Sequence, residues 1–186
     1  MPADFINHCQ GCPYEGAKHL GERLSDCSVR PLSMEDNRAS VLLIFQSPGV
    51  EEWRVKRPLA SLNKRSAAMR LQRAFVKTHV TRQHFNITNA VQCYQGKAPP
   101  IKGKRPRDNQ LRETAIKRCA HWLKLDIENH KYARIVVFGS VAERSVRALN
   151  CFPEEKVTYL YHPSSRLSNE KLFAALGDSD HGIDGQ

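Results

Sequence analysis

Runs of apolar residues of strand length recur along the chain and predict four β-strands. The run Val41–Phe45 is continuously apolar, which is typical of a strand buried on both faces of a sheet. Residues 85–91 mix β-branched side chains with polar ones, a composition that favours a strand. Two later runs, Arg134–Phe138 and residues 157–161, complete the predicted set.

Segments with helical periodicity separate these runs and indicate crossover helices. They lie near residues 61–80, near residues 109–129 and at Ser140–Leu149. In the second segment, apolar residues such as Leu111 and Ala115 recur at helical spacing. Strands that alternate with helices predict right-handed crossovers and a sheet covered on both sides. We therefore expect an α/β fold, a three-layer α/β/α sandwich around a central, mostly parallel sheet of four strands.

Polar or turn residues lie at the end of each predicted strand. In chain order they are Gln46-Ser47-Pro48-Gly49, Asn89, Gly139-Ser140 and His162-Pro163-Ser164. Ligands of open parallel sheets bind beyond the carboxyl ends of the strands. The topology therefore predicts a functional site where these four segments converge.

The length of 186 residues suits one well-packed domain. We expect a single domain over residues 1–176, in which residues 1–40 form a cysteine-bearing N-terminal extension and residues 34–40 a polar linker. Residues 177–186 are expected to form a flexible tail. The sequence contains no apolar run of membrane-spanning length and no basic segment followed by an apolar stretch at its start. We expect a cytoplasmic protein without a membrane partner, and a monomer.

The net charge of +10 indicates an anionic partner. Five of the cations fall within residues 97–107, and a second group of lysines and arginines follows the first strand, between residues 54 and 73. Contacts with phosphates and release of counterions drive sequence-independent binding to nucleic acids. The alternative is a solvated basic face without a partner.

Four of the six cysteines have a spacing that fits a metal site. The CxxC motif of Cys9 and Cys12 lets two thiolates bind one metal ion or cluster. Two distant cysteines, Cys93 after the second strand and Cys119 in a predicted helix, would complete four ligands. The expected cytosolic location disfavours a disulfide. The spacing alone fits zinc and an iron–sulfur cluster equally well, and the other two cysteines are interpreted as ordinary small residues.

The order of these motifs resembles that of the family 4 uracil-DNA glycosylases. The pattern is CxxC, strand-(Q/E)-x-P-G, strand-T-N-x-V-x-C, a cysteine in a helix, strand-G and strand-H-P-S, and it spans about residues 9–167. Its most specific elements are Thr88-Asn89-Ala90-Val91-Gln92-Cys93, together with the other cysteines, and His162-Pro163-Ser164. The resemblance implies DNA as the partner and a 4Fe–4S cluster, with zinc as the alternative. The implied ligands are Cys9, Cys12, Cys93 and Cys119.

The chain departs from the family pattern at positions that bear on the substrate. The family's Gly-Glu-x-Pro-Gly is Phe45-Gln46-Ser47-Pro48-Gly49 here, and its Gly-Arg-Pro-Phe is Lys56-Arg57-Pro58-Leu59. The family's phenylalanine stacks on uracil, and stacking is worth ~1–3 kcal/mol per base in related settings. A leucine loses that stacking and frees volume, which predicts a pocket for a base bulkier than uracil. The alternative is that Phe45 or Trp53 takes over the stacking.

The resemblance implies catalytic roles for three side chains. His162 lies beside a base carbonyl and donates a hydrogen bond to the anion that develops on the leaving base. Asn89 carries an amide with a donor and an acceptor, which suits one edge of a pyrimidine. Gln46 takes the place of the family's water-holding acid, where it can orient a water molecule but cannot remove its proton. The neighbouring Glu51 and Glu52 are interpreted as an exposed loop pair.

Further residues are implied to contact the base or the DNA. Glycine permits a close approach of the backbone, so the turn before residue 50 should lie against the base or a phosphate. The loop after residue 162 probes the duplex in the family, and either Arg166 or Leu167 is predicted to fill the gap left by the flipped base. The substrate-binding set is Ser47, Pro48, Gly49, Leu59, Ser164, Arg166 and Leu167.

Together these features predict a monofunctional DNA glycosylase. A base inside a duplex is out of reach, so the enzyme would flip the nucleotide into a pocket and hydrolyse its N-glycosidic bond, leaving an abasic site. The target is either uracil or a modified pyrimidine, including the bulky bases of phage DNA, which would imply a role in repair or in antiviral defence. The alternative is a catalytically inactive iron–sulfur DNA-binding module of the same fold.

Overall fold

A computed structural model describes residues 9–14, 31–99, 102 and 108–177. Its central sheet contains β1 (Val41–Phe45), β2 (Asn86–Asn89), β3 (Arg134–Phe138) and β4 (Val157–Leu160). The strand order is β2-β1-β3-β4, and all three pairings are parallel. The four predicted strands are confirmed, with β2 and β4 shorter than the sequence pattern predicts.

The described residues also form five α-helices, and none of them is long and apolar enough to cross a membrane. The predicted helical segments near residues 109–129 and at Ser140–Leu149 are confirmed. The helix predicted near residues 61–80 begins six residues later than expected, because Ser66 caps it. The Ser66 side chain accepts a hydrogen bond from the Met69 N–H. The first and last helices were not predicted. The helices are α1 (Val50–Val55), α2 (Ala67–Lys77), α3 (Glu113–Glu128), α4 (Ser140–Leu149) and α5 (Asn169–Gly177).

The sheet is covered on both faces, which confirms the predicted three layers. Successive side chains of a strand point to opposite faces, and in β1 all of them are buried. Leu43 packs on one face with side chains of α2 and α5, such as Leu71 and Leu172. Ile44 packs on the other face with side chains of α3 and α4, such as Leu123.

The predicted polar linker before β1 is paired with β2. Glu35 forms an antiparallel bridge with Ile87 of β2, with N–H···O distances of 2.9 and 3.0 Å. Asn37 donates its backbone N–H to the Asn86 side chain at 2.8 Å. An edge strand leaves backbone groups unpaired, and these bonds cover part of the open edge of β2. Residues 178–186 of the expected tail lie outside the described residues.

Candidate active site

A cavity of about 580 Å³ opens at the carboxyl ends of the strands. Phe45 and Gln46 at the end of β1, Asn89 at the end of β2, and His162 after β4 all line it. The structure therefore brings together three of the four strand-end segments. The fourth, at Gly139, lies directly behind His162 and supports it.

The imidazole of His162 is held in one tautomer by its own loop. The backbone N–H of Ser164 donates to His162 Nδ1 at 3.3 Å, and the Ser164 Oγ lies 2.7 Å from the same nitrogen. A backbone N–H can only donate, so Nδ1 is the acceptor and the ring proton lies on Nε2. Burial lowers the pKa of His162, which favours this neutral form. Nε2 is then a hydrogen-bond donor on the cavity wall.

Gly139 provides the surface on which His162 rests. Its φ of 91° belongs to the left-handed region that favours glycine. A Cβ atom at this position would lie 3.4 Å from the Cβ of His162 and 3.8 Å from its Cδ2. A residue with a side chain would touch the imidazole and would be strained by this backbone conformation.

The Asn89 amide faces the cavity from a buried site. The residue is 3% exposed, and its Nδ2 has no hydrogen-bond partner among the described residues. The flanking side chains of Thr88 and Gln92 both donate to Asp126, at 2.6 and 2.9 Å, and hold this end of β2 against α3. Burial raises the pKa of Asp126 to about 6. A buried donor without a partner can be satisfied by a ligand oxygen.

The turn from Gln46 to Gly49 leads into α1, whose first residues are part of the site. The Glu52 carboxylate accepts a hydrogen bond from the Gly49 N–H at 2.5 Å and others from the backbone of Leu59 and Ala60. Burial raises the pKa of Glu52. The interpretation of residues 51 and 52 as an exposed loop pair is wrong, because they are helical and Glu52 ties the two cavity walls together. The turn residues Ser47 and Pro48 also line the cavity.

Leu59 lines the cavity in an unusual conformation, with φ 53° and 7% exposure. The Arg82 guanidinium holds this turn by donating to the carbonyl oxygens of Pro58 and Leu59. Of the two aromatics considered as alternative stacking partners, Phe45 lines the cavity. Trp53 packs in a different cluster, on the side of the cysteines.

The loop after His162 buries one of the two residues predicted to enter the DNA stack and exposes the other. Leu167 is 4% exposed and belongs to the hydrophobic core, so its side chain is not available to enter a DNA stack. Arg70 fixes its backbone by donating to the carbonyl oxygens of Leu167 and Pro163. Arg166 is exposed, and Ser164 lines the cavity. The exposed apolar residue at the cavity rim is instead Leu62, at 87%, between the lining residues Ser61 and Asn63.

Gln95 is a cavity residue that the motifs did not indicate. It is 4% exposed, and its Oε1 has no hydrogen-bond partner among the described residues. Nearby, Lys97 and Asp108 pair at 2.6 Å and bring together the two ends of the basic segment, whose residues 100, 101 and 103–107 lie outside the description. The only sequence signal was the position of Gln95, two residues after Cys93.

The four motif cysteines lie near one another, in a cluster separate from the two that cover the faces of the sheet. Cys93 and Cys119 are buried in one cluster, against which Cys12 packs, and none of the motif cysteines forms a disulfide. Burial raises the pKa of the Cys93 thiol, and the charges of Cys119, Cys9 and Cys12 raise it further. Within the described ranges, no group of three or more His, Cys, Asp or Glu residues could hold a single metal ion. Cys27 lies outside the described residues.

Comparison with known proteins identifies the family. The sequence model of the uracil DNA glycosylase superfamily matches residues 33–178, most of the chain. The match includes the strand-end segments that line the cavity. A search of curated proteins gives no match.

Proposed function

Because this chain belongs to the uracil DNA glycosylase superfamily, we propose that it hydrolyses the N-glycosidic bond of a base flipped into the cavity. The observation that carries the proposal is the orientation of His162. Its Nδ1 is occupied by the Ser164 backbone, so Nε2–H is left to donate into a cavity that also contains the buried Asn89 amide.

Bond cleavage creates charges that these residues can stabilise. As the bond from C1′ to the base nitrogen breaks, its electron pair goes to the base, and the sugar becomes oxocarbenium-like. The Nε2–H of His162 stabilises the negative charge on a base oxygen. A water molecule then adds its oxygen to C1′, and the proton it releases neutralises the departing base. The products are an abasic site and a free base.

Two amides would position the reactants. Asn89 Nδ2 can donate to an oxygen on the base edge, which would satisfy a donor that is otherwise buried without a partner. Gln46 lines the cavity at the end of β1 and can orient the attacking water. It need not act as a base, because an oxocarbenium-like sugar reacts readily with neutral water.

We propose that the substrate is a pyrimidine with a bulky modification. Leu59 presents a small aliphatic side chain to the cavity, where a phenylalanine would fill more space. The turn is fixed by Arg82 and Glu52, so the wall is held in place and does not collapse into the freed volume. This substrate class would be consistent with a defence against modified phage DNA.

The DNA would approach across the rim that carries Leu62 and Arg166. Lys64 and Arg65 follow Leu62 and are exposed, so the rim is suited to phosphates. An apolar side chain at the mouth of a base pocket can fill the gap in the stack after a base has flipped. We propose that Leu62 has this role, in place of the buried Leu167.

We also propose that Cys9, Cys12, Cys93 and Cys119 hold a 4Fe–4S cluster. Their donor chemistry fits, because four cysteines from three parts of the chain lie near one another without disulfides, with Cys93 and Cys119 buried and Cys12 packed against them. A four-iron cluster takes one thiolate at each iron, so its ligands need not surround a single point as they do for zinc. When bound, the cluster would fasten residues 9–12 to β2 and α3.

A base-release assay tests the proposed activity. Anaerobically purified protein would be incubated with oligonucleotides that carry uracil, hypoxanthine, 5-hydroxymethylcytosine or glucosylated 5-hydroxymethylcytosine, and abasic sites would be detected by alkali cleavage. We expect the wild-type protein to release a modified pyrimidine. The His162→Gln variant should lose this activity, and the control variant His79→Gln, which changes an exposed histidine, should keep it. DNA binding without any release would instead indicate an inactive binding module.

A further inference from the structure

Gln95 has a hydrogen-bonding capacity that neither the described part of the chain nor the proposed reaction uses. Its side-chain amide is buried in the cavity wall, and Oε1 accepts no hydrogen bond from any described residue. A buried acceptor without a partner is rare in native proteins. Rotation about the last side-chain torsion, which has a broad energy minimum, lets the amide turn toward the cavity.

The backbone of Gln95 is held firmly enough to make this amide a recognition element. Asn109 donates its side-chain amide to the Gln95 carbonyl at 3.0 Å and its backbone N–H to the Gly96 carbonyl at 2.8 Å. Gly96 has a φ of 80°, so the chain turns sharply directly after the glutamine. The side chain is therefore presented from an anchored turn.

We infer that Gln95 is a specificity-determining residue that accepts a hydrogen bond from a hydroxyl group on a substituent of the flipped pyrimidine. This inference rests on the proposed function. Asn89 can serve the edge of the base, and a plain uracil would leave the Gln95 oxygen without a donor. Leu59 leaves space for a substituent, and a hydroxymethyl group supplies both the volume and the missing donor. The preferred substrate class is then a 5-hydroxyalkyl pyrimidine.

Two pairs of bases isolate the hydroxyl group. 5-Hydroxymethyluracil is compared with thymine, and 5-hydroxymethylcytosine with 5-methylcytosine, because the members of each pair differ only in that group. The rate of base release and the affinity for duplexes with 2′-fluorinated nucleotides, whose glycosidic bonds resist cleavage, are measured for each pair. The variants are Gln95→Met, which removes the acceptor, Gln95→Glu, which keeps one, and the control Gln83→Met, an exposed glutamine before β2.

We expect the wild type and Gln83→Met to prefer the hydroxymethyl member by roughly tenfold or more, because sites built for a hydroxyl reject analogues that lack it. Gln95→Met should lose most of this ratio, and Gln95→Glu should keep much of it. An equal ratio in wild type and Gln95→Met, or no preference in the wild type, would overturn the inference. Preferential binding that depends on Gln95, without release of any base, would support the inference and overturn the proposed function. Thermal melting shows whether each variant is folded.

Discussion

The Arg82 guanidinium donates a 2.8 Å hydrogen bond to the carbonyl oxygen of Leu59, the cavity residue with φ 53°. The same guanidinium contacts the Glu35 carboxylate at 2.6 Å, and Arg57 contacts that carboxylate at 2.8 Å. The cavity wall is therefore fixed by an ion pair with the segment that covers the edge of β2. A left-handed leucine is costly, and this network holds it in place.

Glu35→Gln should lower the free energy of unfolding by about 3 kcal/mol at neutral pH. Burial acts to raise the pKa of Glu35, but the hydrogen bonds from Arg82 and Arg57 and the charge of Arg82 outweigh it and lower the pKa from 4.5 to about 2. A lowered carboxyl pKa contributes stability above the unfolded value, and that stability is lost as the pH falls from 4.5 to about 2. Denaturant unfolding of wild type and variant across this range measures the difference. The exposed Glu128→Gln serves as control. A difference that does not shrink in acid would contradict the assignment.

The pH dependence of base release should report the neutral form of His162. Burial lowers its pKa below 6.5, and protonation of Nδ1 would break the hydrogen bond from the Ser164 N–H. Activity should therefore be level near neutral pH and fall as the pH drops below 6.5. His162→Gln should lose about 10²–10³-fold in kcat, the effect of removing one donor to a developing anion. Ser164→Ala keeps its backbone donor and should lose much less. Activity that rises toward acid would exclude a neutral histidine.

Gly139→Ala should reduce kcat, because relief of the backbone strain it creates would shift the segment on which His162 rests. The added Cβ would lie 3.4 Å from the His162 Cβ, at a φ of 91° that costs an alanine roughly 1–2 kcal/mol. The matched control is Gly177→Ala at the end of α5, where the added Cβ would also make ordinary contacts but the backbone φ is not in the strained range. Kinetics and thermal melting of both variants check this expectation. Full activity in Gly139→Ala would show that the position of His162 is not critical.

The sequence carried most of the information about the fold. The apolar run of β1 and the polar residues after each strand predicted the parallel sheet and the edge where the cavity opens, because both depend on local patterns. The helix of residues 50–55 was missed because it is short and its one buried residue, Trp53, gives no periodicity.

The site was predicted only where a motif marked it. His162, Asn89 and Gln46 follow strands and lie in the cavity as expected. The sequence placed Leu167 in a surface loop, but its side chain is buried in the core with residues of α2 and α5. This burial depends on tertiary contacts, which a local sequence pattern does not show. Gln95 belongs to no motif, and the burial of its Oε1 without a partner among the described residues depends on tertiary packing that a local pattern does not reveal.

Leu62→Ala should impair base release from duplex DNA much more than from single-stranded DNA. Leu62 is 87% exposed at the cavity rim, and a wedge is needed only where a flipped base leaves a gap in a stacked duplex. We expect a loss of about tenfold on the duplex, given ~1–3 kcal/mol for a stacking contact. Val76→Ala, exposed by 66% on α2, should change neither substrate. Equal losses on both substrates would assign Leu62 to the pocket and not to the wedge.

Cys93→Ala should abolish cluster binding, whereas Cys151→Ala should not. Cys93 is buried with Cys119, and Cys12 packs against them. The negative charge that each thiolate would place on the others is relieved when iron binds all of them. Cys151 packs in a different cluster, the one that contains Ile44. Iron, sulfide and zinc contents and the visible absorbance of anaerobically purified proteins distinguish the outcomes. Four irons per wild-type chain are expected for the cluster, and about one zinc with no colour would assign the site to zinc. Loss of the cluster should also lower the thermal midpoint, because its ligands join the N-terminal segment to the end of β2 and to α3. Cys151→Ala shows the effect of removing a cysteine that is not a cluster ligand.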